Sequence, residues 1–276
     1  MYNKTSITII FSSVLMFGQY VFSGEKISST SFEPPHQDPE LVNYLCREGE
    51  KVGLKFATMD DIDRYIGSTD QRGGQKLLDQ IIFVKYTGKI PTKENLMIEI
   101  MSPENRDALP FTGNTQESNT FFRRLRAINV LRWLTDLTPK DIAQIHKSYA
   151  TAQHWESRVA AIALLCQCDG ERGVKLADQY LLNRRNPIAG RVELMKNLMY
   201  TDCPRNIDAW ENSLVEGLNS NDGSVRTNSA EVLHYDPSGK INADWVIKSA
   251  RRHNEQIRKQ IEQVAKKLTE QPVIKK

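Results

Sequence analysis

The chain has 276 residues, 39% of them hydrophobic and 26% charged, with a formal net charge of +3 at pH 7. Its length is ample for a core in one or two domains, and its small net charge indicates no overall preference for strongly acidic or basic partners. After residue 23, no stretch approaches 18 consecutive apolar residues, so we expect no membrane span in the rest of the chain.

The first 23 residues are predicted to be a cleaved signal peptide. Lys4 precedes an apolar run of 16 residues at 7–22, and Val-Phe-Ser at 21–23 supplies a cleavage sequence before Gly24. A membrane anchor is the alternative, although such a run is short for a hydrocarbon core of roughly 30 Å. We therefore expect an exported protein, periplasmic or secreted. The one glycosylation sequence begins at Asn3, inside the signal, which favours a bacterial source.

The segment after the signal is predicted to be helical from residue 38 onward. Thr58 and Asp61 have the spacing of a capping box at a helix start. Residues 75–87 have apolar positions at helical spacing, although their Ile-Ile-Phe-Val sequence is also compatible with a strand. The predicted organisation is a flexible leader at 24–37, an N-terminal helical region at 38–102, a loop at 103–119, helical repeats at 120–270 and a basic tail at 271–276.

Five arginines recur at nearly constant spacing in the second half of the chain. The intervals are 32, 33, 35 and 32 residues, and the residue seven positions after each arginine is apolar. Segments of helical periodicity carry these arginines and alternate with further helical segments. One helix pair cannot bury its apolar face alone, so this period predicts stacked pairs, an all-α superhelix preceded by the smaller helical region. The arginines in register are Arg126, Arg158, Arg191, Arg226 and Arg258.

One repeat carries a recognisable signature. Residues 221–226, Asn-Asp-Gly-Ser-Val-Arg, are followed by an alanine and a leucine four and seven residues after the arginine. This pattern resembles the HEAT repeat, an armadillo-type α-solenoid unit, and residues 157–161 and 257–258 resemble weaker copies. The resemblance covers roughly residues 120–268. It implies that the arginines are structural, bonding to carbonyls and acidic groups in the turns, and that their helices line a concave face.

Four cysteines remain after the signal, at positions 46, 166, 168 and 203. An even number of cysteines in an exported protein permits disulfides. Cys168 and Cys203 lie at the ends of successive predicted repeat helices, so we expect them to form a disulfide. Four buried thiols acting as small hydrophobic side chains are the alternative.

Motifs for catalysis or metal binding are absent from the sequence. It contains no Gly-X-Ser-X-Gly, no His-Glu-X-X-His and no glycine-rich phosphate loop, and its five histidines are scattered singly. The acidic residues at 60–63 resemble half of a calcium loop, but a helix N-terminus also favours acidic residues there. We therefore predict no catalytic residue, no metal and no cofactor.

The C-terminal segment carries a basic excess. Residues 248–276 contain nine lysines and arginines against three glutamates, and we expect a partner-binding basic face at Arg251, Arg252 and Lys259. A solvated helix is the alternative reading.

These features together favour an exported, non-catalytic binding or scaffold protein that presents a helical-repeat surface to a macromolecule. We expect the partner to be another protein or an anionic envelope polymer, because export disfavours nucleic acid. Two other functions stay open. One is an inhibitor or immunity-type protein that blocks a partner enzyme, and the other is an enzyme with a cleft between the N-terminal helices and the repeats.

Overall fold

The computed structural model describes residues 38–66, 68, 73–104, 115–199, 201, 203–236 and 238–269, with the backbone alone at 115–122, 256–258 and 260–269. The predicted signal peptide at 1–23, the leader at 24–37 and the basic tail at 271–276 lie outside the described residues.

Secondary structure in the described residues is entirely helical, which confirms the predicted all-α class. The segment at 75–87 is a helix rather than a strand. The described helices are α1 (Pro39–Glu50), α2 (Met59–Ile66), α3 (Gly74–Thr87), α4 (Lys93–Glu99), α5 (Thr115–Leu131), α6 (Pro139–Thr151), α7 (Trp155–Cys168), α8 (Gly170–Leu182), α9 (Ile188–Leu198), α10 (Ile207–Leu218), α11 (Gly223–His234) and α12 (Ala243–Thr269).

Contacts between the helices arrange them in two rows. The first row contains α3, α5, α7, α9 and α11, each of which contacts the next. The second row contains α4, α6, α8, α10 and α12, and within it α10 contacts both α8 and α12. Helices adjacent in sequence join the two rows, as α6 and α7 or α10 and α11 do. The N-terminal helices and the later helices belong to one compact unit, so they are not separate domains.

Two hydrophobic clusters of the core share helix α7. One side of this helix, including Val159 and Ile162, packs in a cluster with residues of α8 to α11 such as the fully buried Trp210. Another side, including Ala161 and Leu164, packs in a cluster with residues of α3 to α6. The alanines of α7 let its neighbours approach closely, and each large side chain buried there contributes roughly 1.5–3 kcal/mol.

Several helix starts lie where the sequence predicts them. Thr138 caps α6 in a reciprocal capping box with Asp141, and Pro139 follows as the first helical residue. At α2, Asp61 accepts a hydrogen bond from the Thr58 backbone N–H at 3.0 Å while Thr58 Oγ1 accepts one from the Asp61 N–H at 3.3 Å. The start of α9 has no side-chain cap, because the Asn186 side chain, just before it, donates instead to the Tyr180 carbonyl at 2.8 Å.

Two helix boundaries differ from those expected from the sequence. The segments centred on Val246 and on Arg258, predicted as separate helices, form one continuous α12. The residues at 251–256 between them (Arg-Arg-His-Asn-Glu-Gln) contain no glycine or proline to end a helix. Similarly, α5 begins at Thr115, inside the predicted loop 103–119, because a polar segment without glycine or proline can still be helical.

Candidate binding surface on the first helix row

Three of the five arginines in register occupy equivalent positions. Arg158, Arg191 and Arg226 are each the fourth residue of their helix, in α7, α9 and α11. Arg126 is instead the twelfth residue of α5, and Arg258 is the sixteenth of α12. The arginines of α7, α9 and α11 therefore occupy equivalent positions, whereas the first and last arginines of the five do not.

The equivalent arginines bond to the elements that precede or follow their helices. Arg158 Nε donates to the Ala152 carbonyl at 2.9 Å, and Arg226 Nη1 donates to the Ser220 carbonyl at 2.7 Å. Arg191 is buried and forms an ion pair with Glu216 at the end of α10. These contacts fix a turn or join successive helices, which is a structural role for the three arginines.

A band of charged and amide side chains crosses the first row. Its members lie on α3, on α5 and the turn after it, and on α7, α9 and α11, and all but one are half-buried. They are linked to one another by hydrogen bonds or by electrostatic interactions. This polar band consists of Asp79, Arg126, Arg132, Glu156, Glu193, Lys196, Asn197, Asn228 and Glu231.

At the α3 end of the polar band, Asp79 is only 4% exposed. Trp133 Nε1 donates to Asp79 Oδ2 at 2.8 Å and Gln75 Nε2 donates to Asp79 Oδ1 at 2.9 Å. Burial raises the pKa of Asp79 despite these hydrogen bonds and the nearby Arg126 and Arg132. Trp133 itself is 40% exposed, so its ring offers an aromatic contact surface beside the band.

At the other end, the band connects helices that are not adjacent in sequence. Arg132 Nη1, just after α5, donates to Asn197 Oδ1 on α9 at 2.8 Å and thus reaches past α7. Lys196 Nζ forms an ion pair with Glu231 Oε2 on α11 at 3.1 Å and donates to Asn228 Oδ1 at 3.1 Å. The charges of three first-row helices are therefore coupled along one surface.

Two further carboxyl groups in the band have altered acidity. Burial raises the pKa of Glu193, which Glu231 raises further and Lys196 opposes. Burial likewise raises the pKa of Glu156, and the nearby carboxylates of Glu104 and Glu193 add to the effect. Carboxyl groups with raised pKa values are concentrated at functional sites, although structural networks also produce them.

The predicted basic face lies elsewhere. Arg251, Arg252 and Lys259 are all exposed on α12, which packs on α10 of the second row, whereas the polar band crosses the first row. Lys259 Nζ lies 3.1 Å from Glu255 Oε1, four residues earlier in the helix. The structure thus places these residues on an accessible helix surface but does not bring them into the polar band.

The cysteines differ from the expected pairing. All four thiols are free, so no bridge joins Cys168 to Cys203, and Cys203 packs instead against the cluster that contains Cys166. Residues two apart on a helix point in directions about 160° apart, so only one of the two cysteines in α7 can face the connection that carries Cys203. Cys168 packs in the cluster with α3 to α6, on another side of the helix.

Within the described residues, no group of three His, Cys, Asp or Glu side chains is placed to hold a metal ion. His146 pairs with a single carboxylate, Asp169, with Nε2 and Oδ2 2.5 Å apart. No helix in the described part of the chain is both long and apolar enough to cross a membrane.

The polar band has no continuous pattern in the sequence from which it could be predicted. A signal for it exists in α3, where Asp79 and Gln80 are polar between the apolar pairs at 77–78 and 81–82. The partners of Asp79 could not be identified in this way, because Trp133 is 54 residues away. No protein-family model, curated protein or solved structure matches this chain.

Proposed function

We propose that this protein is an exported, non-catalytic binding protein that holds a macromolecular partner, most simply another protein, on the first helix row. The proposal includes a HEAT-like solenoid in which successive helix pairs extend the surface. Support comes from the contacts of α3, α5, α7, α9 and α11, which place five helices side by side.

The observation that carries this proposal is the continuity of the polar band. Side chains from five successive helix positions form one strip in which acids, bases and amides alternate, and Trp133 is exposed beside it. Protein interfaces are enriched in tryptophan and arginine, and complementary charges fix the orientation of the partner. A mixed strip of this kind suits a folded protein better than a uniformly anionic polymer, whose charge would be repelled by Glu193 and Glu231.

The basic face on α12 has a secondary role in the proposal. Exposed positive charge at Arg251, Arg252 and Lys259 attracts an acidic surface during approach, which raises the association rate more than the affinity. An anionic envelope polymer would use this face rather than the polar band. An inhibitor or immunity-type protein is a case of the same proposal in which the partner is an enzyme.

An enzyme is the second candidate function, and one observation favours it. Asp79 of the N-terminal region and Glu193 of the repeats both interact with Arg132, and burial raises the pKa of both carboxyl groups. Such groups can donate protons at higher pH than ordinary carboxylic acids. Both carboxyl groups already accept hydrogen bonds from neighbouring side chains: Asp79 accepts two, and Glu193 accepts one from Asn197. These bonds favour a structural role for the two groups.

Site-specific photo-crosslinking tests the binding proposal. A photoreactive residue replaces Ala230, exposed on α11 beside Glu231, and in a matched control it replaces Gln179, exposed on α8 in the second row. In the extracytoplasmic fraction of the source, we expect Ala230 to capture a discrete macromolecule that excess unlabelled protein displaces, while Gln179 captures none. Equal labelling from both positions, or none from Ala230, would contradict the proposal.

A further inference from the structure

Two cysteines distant in sequence meet at the edge of the core. Cys166 lies in the last turn of α7 and is 8% exposed, within the cluster that also contains Met199 and Trp210. Cys203 lies in the connection between α9 and α10, is half-buried and packs against the same cluster. The two thiols also lie close enough for each to change the pKa of the other. The fold therefore brings two thiols that are 37 residues apart in sequence into one cluster.

We infer that Cys166 and Cys203 are a redox pair that closes to a disulfide by exchange with a disulfide-bearing oxidant, joining α7 to the α9–α10 connection. This inference does not depend on the proposed function. It replaces the Cys168–Cys203 pairing expected from the sequence.

The two thiols have different roles in the exchange. The interaction between the two thiols lowers the pKa of Cys203, and the same interaction, with burial, raises the pKa of Cys166. Cys203, the more exposed of the two, is therefore the first thiolate and the nucleophile that an external oxidant can reach. Nearby Arg205 also favours the Cys203 thiolate, whereas burial and Asp178 oppose it.

Electrons and protons balance in two steps. The Cys203 thiolate attacks one sulfur of the oxidant disulfide, forming a mixed disulfide and releasing one oxidant thiolate. Cys166 then loses its proton and attacks the Cys203 sulfur, which forms the internal disulfide and releases the second oxidant thiolate. The protein loses two electrons and two protons, and the oxidant is reduced to two thiols.

The bridge would stabilise the fold by restricting the unfolded chain. It closes a loop that includes α8 and α9, and loops of this length give substantial stabilisation in the chain-entropy account. We expect the oxidised protein to melt about 5–15 °C higher than the reduced protein. The other two cysteines should stay as thiols, because Cys46 lies on α1 and Cys168 packs in a different cluster.

The test uses the protein after signal removal, incubated with glutathione disulfide, quenched by acid and alkylated. Mass spectrometry should show the loss of two hydrogens, with two thiols left to alkylate. Tryptic peptides alone cannot distinguish Cys166 from Cys168, because both lie between Arg158 and Arg172. Two variants, Cys166→Ser and Cys168→Ser, resolve this.

We expect Cys168→Ser to retain both the disulfide and the higher melting temperature. Cys166→Ser should lose both and accumulate a glutathione adduct at Cys203, which keeps the readout informative even if its stability falls. Four alkylated thiols in the native protein after incubation, or a bridge that survives in Cys166→Ser but not in Cys168→Ser, would overturn the inference.

Discussion

Helices α7 and α12 differ in how many helices they contact, and therefore in how many of their residues are constrained by packing. Helix α7 contacts α5, α6, α8 and α9, and its residues from Val159 to Cys166 are all buried. Helix α12 packs mainly on α10, and between 243 and 255 its buried side chains are Val246 and Ala250. A helix with four neighbours has to match several surfaces, whereas a helix with one main neighbour has to match one.

The largest expected effect that tests this difference comes from shortening one isoleucine in each helix. Ile162 of α7 is fully buried, so Ile162→Ala should lower the free energy of unfolding by about 2–5 kcal/mol, by lost burial and by the cavity it leaves. Ile247 of α12 is 38% exposed, and Ile247→Ala should cost less than about 1 kcal/mol. Urea denaturation measures both, and equal losses would show that the two helices are equally embedded.

A second comparison uses glycines at close and open positions. A β-carbon at Gly173 of α8 would lie 2.4 Å from the Leu165 carbonyl of α7, so Gly173→Ala should separate the two helices and cost about 1–3 kcal/mol. At Gly223 the nearest atom is 3.6 Å away, on the Arg226 side chain, so Gly223→Ala is the matched control with little effect. Thermal unfolding followed by circular dichroism would detect the difference, and a neutral Gly173→Ala would show that α7 and α8 are packed more loosely than described.

The pH dependence of stability should differ between Glu193 of the polar band and Glu99, a buried carboxylate that is ion-paired with Lys89 and Arg123. Because burial raises the folded-state pKa of Glu193, the folded state holds this proton more tightly, and its contribution to stability declines as pH rises from the ordinary glutamate pKa through the raised value. Glu193→Gln should therefore gain stability relative to the native chain as pH rises.

Glu99 should show the opposite pH dependence. Burial alone would raise the pKa of Glu99, but hydrogen bonds from Arg123, Lys89 and Ser102 lower it, so the contribution of Glu99 to stability is lost as pH falls.

Urea titrations between pH 3 and pH 8 measure the difference between each variant and the native chain. Glu99→Gln should be most destabilised, relative to the native chain, at neutral pH and least in acid. If the two variants instead change in the same direction with pH, the contrast between the polar band and the ion-paired site is wrong.

The smallest effect on stability is expected from the basic face of α12. Replacing Arg251, Arg252 and Lys259 together with glutamine removes exposed charges, so the melting temperature should change little. Association with a captured partner should become slower and less dependent on salt, because such charges are screened within about 8 Å at physiological ionic strength. Binding rates that are unchanged at low salt would leave the basic face as a solvated helix surface.

The sequence predicts the helical class and much of the order of the helices, because apolar periodicity and caps such as Thr138 are local signals. Of the five arginines that the sequence places in a common register, Arg158, Arg191 and Arg226 are each the fourth residue of their helix, whereas Arg126 and Arg258 are not. The sequence does not predict the continuity of α12, where the repeat spacing suggests a turn but no local signal ends the helix.

The polar band and the cysteine contact could not be predicted for a different reason. Arg132 bonds to Asn197, which is 65 residues away in sequence. A long side chain can reach a helix beyond its nearest neighbour, and such a contact does not change the apolar periodicity of either helix. The choice between Cys166 and Cys168 depends on the rotation of α7 about its axis. That rotation is fixed by the packing of four neighbouring helices and not by the cysteines themselves.

The hydrogen bond between Arg132 and Asn197 also bears on how the first helix row unfolds. In repeat proteins whose units touch only their nearest neighbours, the ends can fray independently of the middle. This hydrogen bond joins the end of α5 directly to α9, past α7. Opening of α7 therefore requires either that the bond breaks or that α5 and α9 move together with α7. The three helices α5, α7 and α9 should therefore exchange their amide hydrogens as one cooperative block, with α12 opening earlier and separately.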